Sequence, residues 1–373
     1  MNFERIRALH RGMVLIGVDG GASGFRAHEI VVRDTPTGPR FALGAHSAAE
    51  EIEPVVGFSP QSLEVQQAQA RESRFEISPE EEVLQGRWVH AASRAIWRVA
   101  AAAGPAEVCV GVCAPGLKTR DGRGIKLSLN GPRIPDFVDA LEQSLMLDGL
   151  NLVRPIAQLV SDGLACGFGE SMAEGGQFAD VEHGYYIAGG SGVAEAFKLS
   201  GTVHGMDELD GELEKAWRLC ANDGESFESH LSASGINRAF GLRASKEIAP
   251  AELPEHAAAA KDPHALALFG GTAERLAELV CARLMSIQDK RGVCLERVVV
   301  GQRLGQFFLD PKLESCFAAP ARAALAAQLR ARAPQGVREQ WLAEHSLRPR
   351  RLVGSALRAA PALGALALCL EGV

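Results

Sequence analysis

The chain has 373 residues, 47% hydrophobic and 23% charged, with 39 basic against 46 acidic side chains and a net charge of −7. One core rarely grows past about 250–300 residues, so two domains are expected, and the composition is that of an ordinary globular protein. The acidic balance disfavours nucleic-acid and membrane-surface partners.

Met1–Gly12 is polar and basic, unlike a secretory leader. Met13–Val18 is an apolar run ending in Asp19-Gly20-Gly21-Ala22-Ser23, which reads as a strand followed by a tight glycine turn. Strands are expected over Phe25–Val32 and Phe41–His46, separated by a Thr-Pro-Thr-Gly-Pro turn, which makes a three-strand antiparallel meander. Ala48–Ile77 is polar and without period, and reads as an insertion or loop. A helix starts at Ser78, with Pro79 at its first position and Glu81 completing a capping box. Its apolar face is Leu84, Trp88, Ala91, Ala95 and Val99.

A buried strand over Glu107–Val112, a helix over Pro135–Met146 and a strand over Ile156–Val160 lead to Ser161-Asp162-Gly163 and a further helix to about Ala173. Tyr185–Ala188 then repeats the first theme, a strand entering a glycine loop, Gly189-Gly190-Ser191-Gly192. Glycine lets backbone N–H groups approach a phosphate closely, so the two loops suggest two related lobes closing on one phosphate chain. Beyond them the pattern is mostly helical. Asp262-Pro263 starts a long helix with the face Phe269, Ala273, Leu276, Val280 and Leu284. A strand over Arg297–Val300 ends at Gly301, residues 318–346 read as helical, Leu352–Ser355 is a strand, and Ala359–Leu370 is an apolar helix shorter than the about 20 residues that span a bilayer. The eight cysteines contain no Cys-x-x-Cys pair and read as buried, reduced thiols in a cytoplasmic protein.

In order and spacing these motifs resemble the ROK family (repressors, open-reading-frame proteins and sugar kinases) of the actin-like ATPase superfamily. The resemblance rests on Asp19–Ser23, Ser128-Leu129-Asn130-Gly131, Ser161-Asp162-Gly163 with Gly169-Glu170, Gly190-Ser191-Gly192, Glu228–Gly235, Val300–Gly305 and Gly354–Leu357 through Ala362–Ala365. It implies an α/β, two-lobed actin-like ATPase (ribonuclease H-like) fold with a mixed sheet in each lobe. The first lobe would comprise 13–132 plus 359–373, with 48–77 inserted, and the second 133–358. It implies an ATP-dependent kinase using Mg²⁺ to phosphorylate a sugar or sugar-like polyol, and a homodimer.

On this resemblance Asp162 is the general base. Asp19 orients a Mg²⁺-bound water, and Gly20, Gly21 and Ser23 hold the β- and γ-phosphates. Gly190, Ser191 and Gly192 grip from the second lobe, and Gly301 and Gly305 lie on the adenosine side. Asn130, Gly131, Ser161, Asp162 and Glu212 face the acceptor. Each residue also has an ordinary structural use. Asp19 could cap a turn, Asp162 could cap the helix it precedes, Asn130-Gly131 is a common turn pair, and Glu212 lies in an acidic stretch. His183, His204 and His230 read as surface or local hydrogen-bonding residues.

The chain departs from the family pattern at three places. Ser161 stands where the family has Asn. Gly211-Glu212-Leu213-Glu214-Lys215 lacks the family's histidine, and the cysteine-rich zinc segment is missing, so no structural zinc is expected. Val193-Ala194-Glu195 follows the second loop, where a carboxylate near triphosphate would repel it. These departures point to an amino sugar, a cyclitol or another polyol. They also define the alternative, a catalytically impaired relative that binds sugar, nucleotide or a protein partner. The family's repressor branch needs a helix-turn-helix ahead of the first strand, and twelve residues precede Met13.

Overall fold

In the computed structural model the described residues are 3, 4, 6, 12–72, 74–104, 107–244, 253–344 and 346–371. The chain divides into two compact units, Met1–Glu174 with Ala359–Val373, and Gly175–Arg358. The boundary corrects the expected division at 132. Residues 133–174 stay with the first unit because the strand Leu159–Ser161 and the helix after it build onto the first sheet.

In the first unit β1 (Met13–Gly21), β2 (Gly24–Thr35) and β3 (Gly38–Glu51) form the antiparallel meander. β4 (Glu107–Ala114) joins β1 in parallel. β5 (Leu117–Lys118) and β6 (Ile125–Leu127) pair with each other, and helix α3 (Phe137–Leu147) follows. The short strands β7 (Asn151–Leu152) and β8 (Leu159–Ser161) then both pair in parallel with β4. The lateral order is β3-β2-β1-β4, then β7 and β8. Strand side chains alternate between faces, so Val14, Ile16 and Val18 point into one cluster with Trp88, Ala91, Ala95 and Val99 of α2 (Pro79–Ala103). On the other face α12 (Ala360–Cys369) lies against β1, β4 and α4 (Asp162–Met172). The approach is close enough that a Cβ on Gly364 would stand 1.7 Å from the Ala165 carbonyl oxygen, so only glycine fits there.

Two local expectations are corrected. Residues 48–77 are not one loop: β3 runs on to Glu51 against β2, and Leu63–Glu72 forms helix α1. That helix has no hydrophobic period because Gln66 is its buried residue. The second concerns Glu81. Ser78 Oγ does accept from the Glu81 N–H at 3.1 Å, but the Glu81 carboxylate turns inward to Arg133 and closes no capping box.

The second unit repeats the plan. β9 (Gly184–Gly189), β10 (Val193–Leu199) and β11 (Thr202–Gly205) form a meander, and β12 (Arg297–Gly301) and β15 (Leu352–Gly354) add in parallel. The order β11-β10-β9-β12-β15 matches the first sheet. Three shorter helices, α5 (Phe227–Leu231), α6 (Ala233–Ala244) and α7 (Pro254–Ala259), precede the long helix α8 (Pro263–Arg291). α8 buries the whole expected face from Phe269 to Leu284. Its start is capped by Asp262, whose Oδ1 accepts from the N–H groups of His264 and Ala265 at 2.9 Å. After β12 comes α9 (Gln302–Leu309). Residues 318–346 are helical in α10 (Ala319–Arg332) and α11 (Gln335–Trp341), then enter the short strands β13 (Leu342–Ala343) and β14 (Ser346–Leu347). No helix among the described residues is long and apolar enough to cross a membrane.

Candidate functional site

Asp19 and Asp162 stand at the carboxyl ends of parallel strands in the first unit. Asp19 pairs across β1 and β4 with Cys113, Cys113 pairs with Val160, and Ala114 pairs with Ser161. Asp162 therefore follows directly where β8 ends, one strand beyond β4. Ligands of open α/β sheets bind outside this end, because the connections there leave a crevice rather than a packed face.

Burial first, and the nearby negative charge of Asp162 second, push the Asp19 carboxyl up to about 7 from its usual 3.8. Arg26, directly opposite on β2, and the Cys113 thiol, 3.8 Å from Oδ1, pull the other way. Two carboxylates that repel each other form an oxygen donor set suited to a hard divalent cation. Among the described residues no group of three His, Cys, Asp or Glu side chains is placed to hold a metal. A cation here would fill its coordination with waters and phosphate oxygens, as Mg²⁺ commonly does.

The structural rival for Asp162 is helix capping, and here Ser161 takes the N-cap position. Asp162 is the first residue of α4, with Oδ1 accepting the Gly163 N–H at 2.9 Å. Ser161 makes no side-chain cap bond.

Gly20 closes on the Phe25 ring, while the Cβ side of Gly21 is open apart from the Gly24 carbonyl at 3.8 Å. Ser23 lies exposed in the β1–β2 turn. The Ser128–Gly131 loop belongs to the same unit. Its Leu129 and Asn130 are exposed, whereas Gly131 is seated on Trp88. Phe25 and Trp88 meet edge-on, with centroids 5.5 Å apart. The glycine turn and the Asn130 loop thus rest on one aromatic pair.

In the second unit the Gly190 N–H donates to the Gly192 carbonyl at 2.9 Å, and the Gly190 carbonyl accepts from Ala233 N at 2.7 Å. Glu228 holds the exit of this loop, accepting from Val193 N–H at 2.9 Å through Oε2. The sequence places Glu228 in a motif without giving it a role. Its signal is an acidic residue two positions after Ser226, the N-cap of α5. Gly301 and Gly305 are packed on protein, against Tyr186 Oη and the Val300 carbonyl.

Glu195 does not face the loop. It is buried in the second unit, taking Arg283 Nε and Nη2 at 2.9 and 3.0 Å, Tyr185 Oη at 2.8 Å and Ala216 N at 2.9 Å. The repulsion expected from this carboxylate is removed by its orientation. Both oxygens of Glu212 accept from Arg291 on α8, at 2.7 and 2.8 Å, so a role toward an acceptor would have to share that pair. Lys215 pairs with Asp207. His204 and His230 make local contacts with Glu208 and Asp223, and His183 Nδ1 accepts from Ser200 N.

No family model and no curated protein matches the chain. Solved structures do match along nearly its whole length. The ROK hexokinase of Thermus thermophilus is 17% identical, over 95% of this chain and 97% of its own, with a TM-score of 0.57. The ROK glucokinase of Streptomyces griseus, solved with glucose and AMPPNP, is 15% identical over 96% and 100%, with a TM-score of 0.56. A ROK transcriptional regulator is 14% identical over 96% of this chain and 79% of its own, with a TM-score of 0.55. The chain has the α/β, two-lobed actin-like fold of the ROK sugar kinases, a fold that ROK regulators share.

Proposed function

We propose that this chain is an ATP-dependent phosphotransferase that phosphorylates a hydroxyl of a sugar or sugar-like polyol. The observation that carries the reading is the placement of Asp19 and Asp162 at the carboxyl ends of β1 and β8, the two strands that flank β4 there, where the charge of Asp162 acts on Asp19. Phosphoryl transfer needs positioning and charge neutralisation more than covalent help. Asp162, on the rigid first turn of α4, accepts the proton of the attacking hydroxyl. Asp19 is the residue that would hold Mg²⁺ through water. That cation, when bound, neutralises charge on the β- and γ-phosphates. Gly20, Gly21 and Ser23 are the proposed phosphate donors of the first unit, and Ser191 and Gly192 those of the second, where Gly190 gives its N–H to the Gly192 carbonyl and shapes the loop. Gly301 and Gly305 flank the adenosine, and Asn130, Gly131 and Ser161 meet the acceptor.

The alternative, an impaired binding protein, draws on Glu195 and Lys215. Glu195 is engaged with Arg283, so Lys215 is what still favours it.

The test is ADP release with glucose, N-acetylmannosamine and myo-inositol, comparing wild type with Asp162→Asn. Loss of the base should lower kcat about 10²–10⁴-fold with ATP binding retained. If ATP binds but no acceptor gives turnover above the variant, the chain is a binding protein. If ATP does not bind, the glycine-loop assignments fail as well.

A further inference from the structure

The first polar stretch after the meander has a specific task. Gln66, on the mostly polar helix α1, is 1% exposed. Its carboxamide makes a two-point pair with the main chain of Ser128. Oε1 accepts from the Ser128 N–H at 2.9 Å, and Nε2 donates to the Ser128 carbonyl at 2.9 Å. The second Nε2 hydrogen goes to the Gln61 carbonyl at 2.8 Å. A side chain here does what a neighbouring strand would do for the backbone of residue 128. Buried main-chain groups need such partners, and losing one costs its full desolvation.

The other end of the same loop is fixed by α2 and by the same stretch together. Arg133, 1% exposed, donates from N and Nε to Glu81 Oε1 at 2.9 and 3.0 Å and from Nη2 to Glu81 Oε2 at 2.7 Å. Its Nη2 also reaches the Glu76 carbonyl at 2.8 Å, and its Nη1 contacts Gln69 on α1. Between these two buried clamps the chain surfaces at Leu129 and Asn130.

We infer that the segment 61–76 is a brace for the acceptor loop, and that Gln66 is its positioning residue, setting the register at Ser128 so that Asn130 is presented to the sugar or polyol. The inference rests on the kinase reading above. Gln66 touches neither the acceptor nor the nucleotide in this scheme. It acts through the backbone of Ser128, so its removal should weaken acceptor binding and leave nucleotide binding alone.

Two variants of the full chain test it. Gln66→Leu keeps the volume and removes every hydrogen bond. Gln66→Asn stays polar but is one methylene too short to reach both Ser128 groups, and serves if the leucine variant does not fold. Amide hydrogen exchange over 125–134 should accelerate about tenfold or more at Ser128 in either variant. The KM for the acceptor found among glucose, N-acetylmannosamine and myo-inositol should rise about tenfold, with the KM for ATP within about twofold. Unchanged exchange at 125–134 overturns the brace whatever the activity. Faster exchange with both KM values unchanged, while Asn130→Ala raises the acceptor KM, overturns the positioning role and leaves the kinase reading standing. A wild-type chain inert to every acceptor overturns the kinase reading and the positioning role together, and the exchange result then decides only whether Gln66 orders the loop.

Discussion

Asp19 is the proposed site residue whose surroundings alter its ionisation, and the sign of that change is testable. Its carboxyl is raised to about 7 from 3.8 by burial first and Asp162 second. Below about pH 4 the group is neutral in both folded and unfolded chains. Between about 4 and 7 the unfolded chain ionises while the folded one stays protonated, so folding is progressively penalised. Above 7 the penalty is complete. Asp19→Asn, which is neutral throughout, should therefore match wild type near pH 4 and exceed it in stability by on the order of 2–4 kcal/mol at pH 8. Thermal melts across that range in a chelating buffer give the measurement, and a difference independent of pH would remove the argument. Added Mg²⁺ should stabilise wild type and not the variant, because a cation favours the ionised carboxylate that asparagine cannot supply.

Among elements, β10 and α8 are joined by the buried Glu195–Arg283 pair, and the pair also secures the chain between them. Glu195 holds the Ala216 N–H and Arg283 holds the Glu214 carbonyl, so the acidic stretch ending at Lys215 is tied down from beneath. Removing one partner leaves a buried charge unpaired. Arg283→Met should destabilise by about 3–5 kcal/mol in urea unfolding, and adding Glu195→Gln should restore part of that loss. If the double variant is no better than the single one, lost packing rather than the unpaired charge accounts for the destabilisation. Such pairs were not legible in the sequence. Glu195 sits in an alternating strand where a charge normally faces water, and Arg283 is one of many arginines on long helices. Gln66 was hidden for the converse reason, as one polar residue in a polar helix. The meanders, the Ser78 and Asp262 caps and the α8 face were legible, because each is written in local spacing. The parallel addition of β4 to β1 is non-local, and so are the partners of Glu81 and Arg133. Of the proposed site, the glycine turns and Asp162 could be read from sequence order, whereas the aromatic seat under Gly20 and Gly131 needed coordinates.

At the scale of the whole molecule, the topology is one unit interrupted by another. Residues 175–358 hold a complete five-stranded sheet and a core running from Tyr185 to Leu352. They have what an independent domain requires. The first unit lacks its rear cover until α12 arrives from the far end of the chain, burying Ala360–Ala367 and Cys369. α12 starts beside the end of α4: a Cβ on Gly169 would lie 2.2 Å from the Ala360 carbonyl oxygen. Glu174 follows Gly169 by five residues and Ala359 immediately precedes Ala360, so a Gly/Ser linker can join the two ends once 175–358 is excised. Fragment 175–358 should melt cooperatively by circular dichroism, and so should 1–174 linked to 359–373. Fragment 1–174 alone should not, because the face that α12 covers would be left open to water. A cooperative melt from 1–174 without the helix would show that α12 decorates the first sheet instead of completing its core.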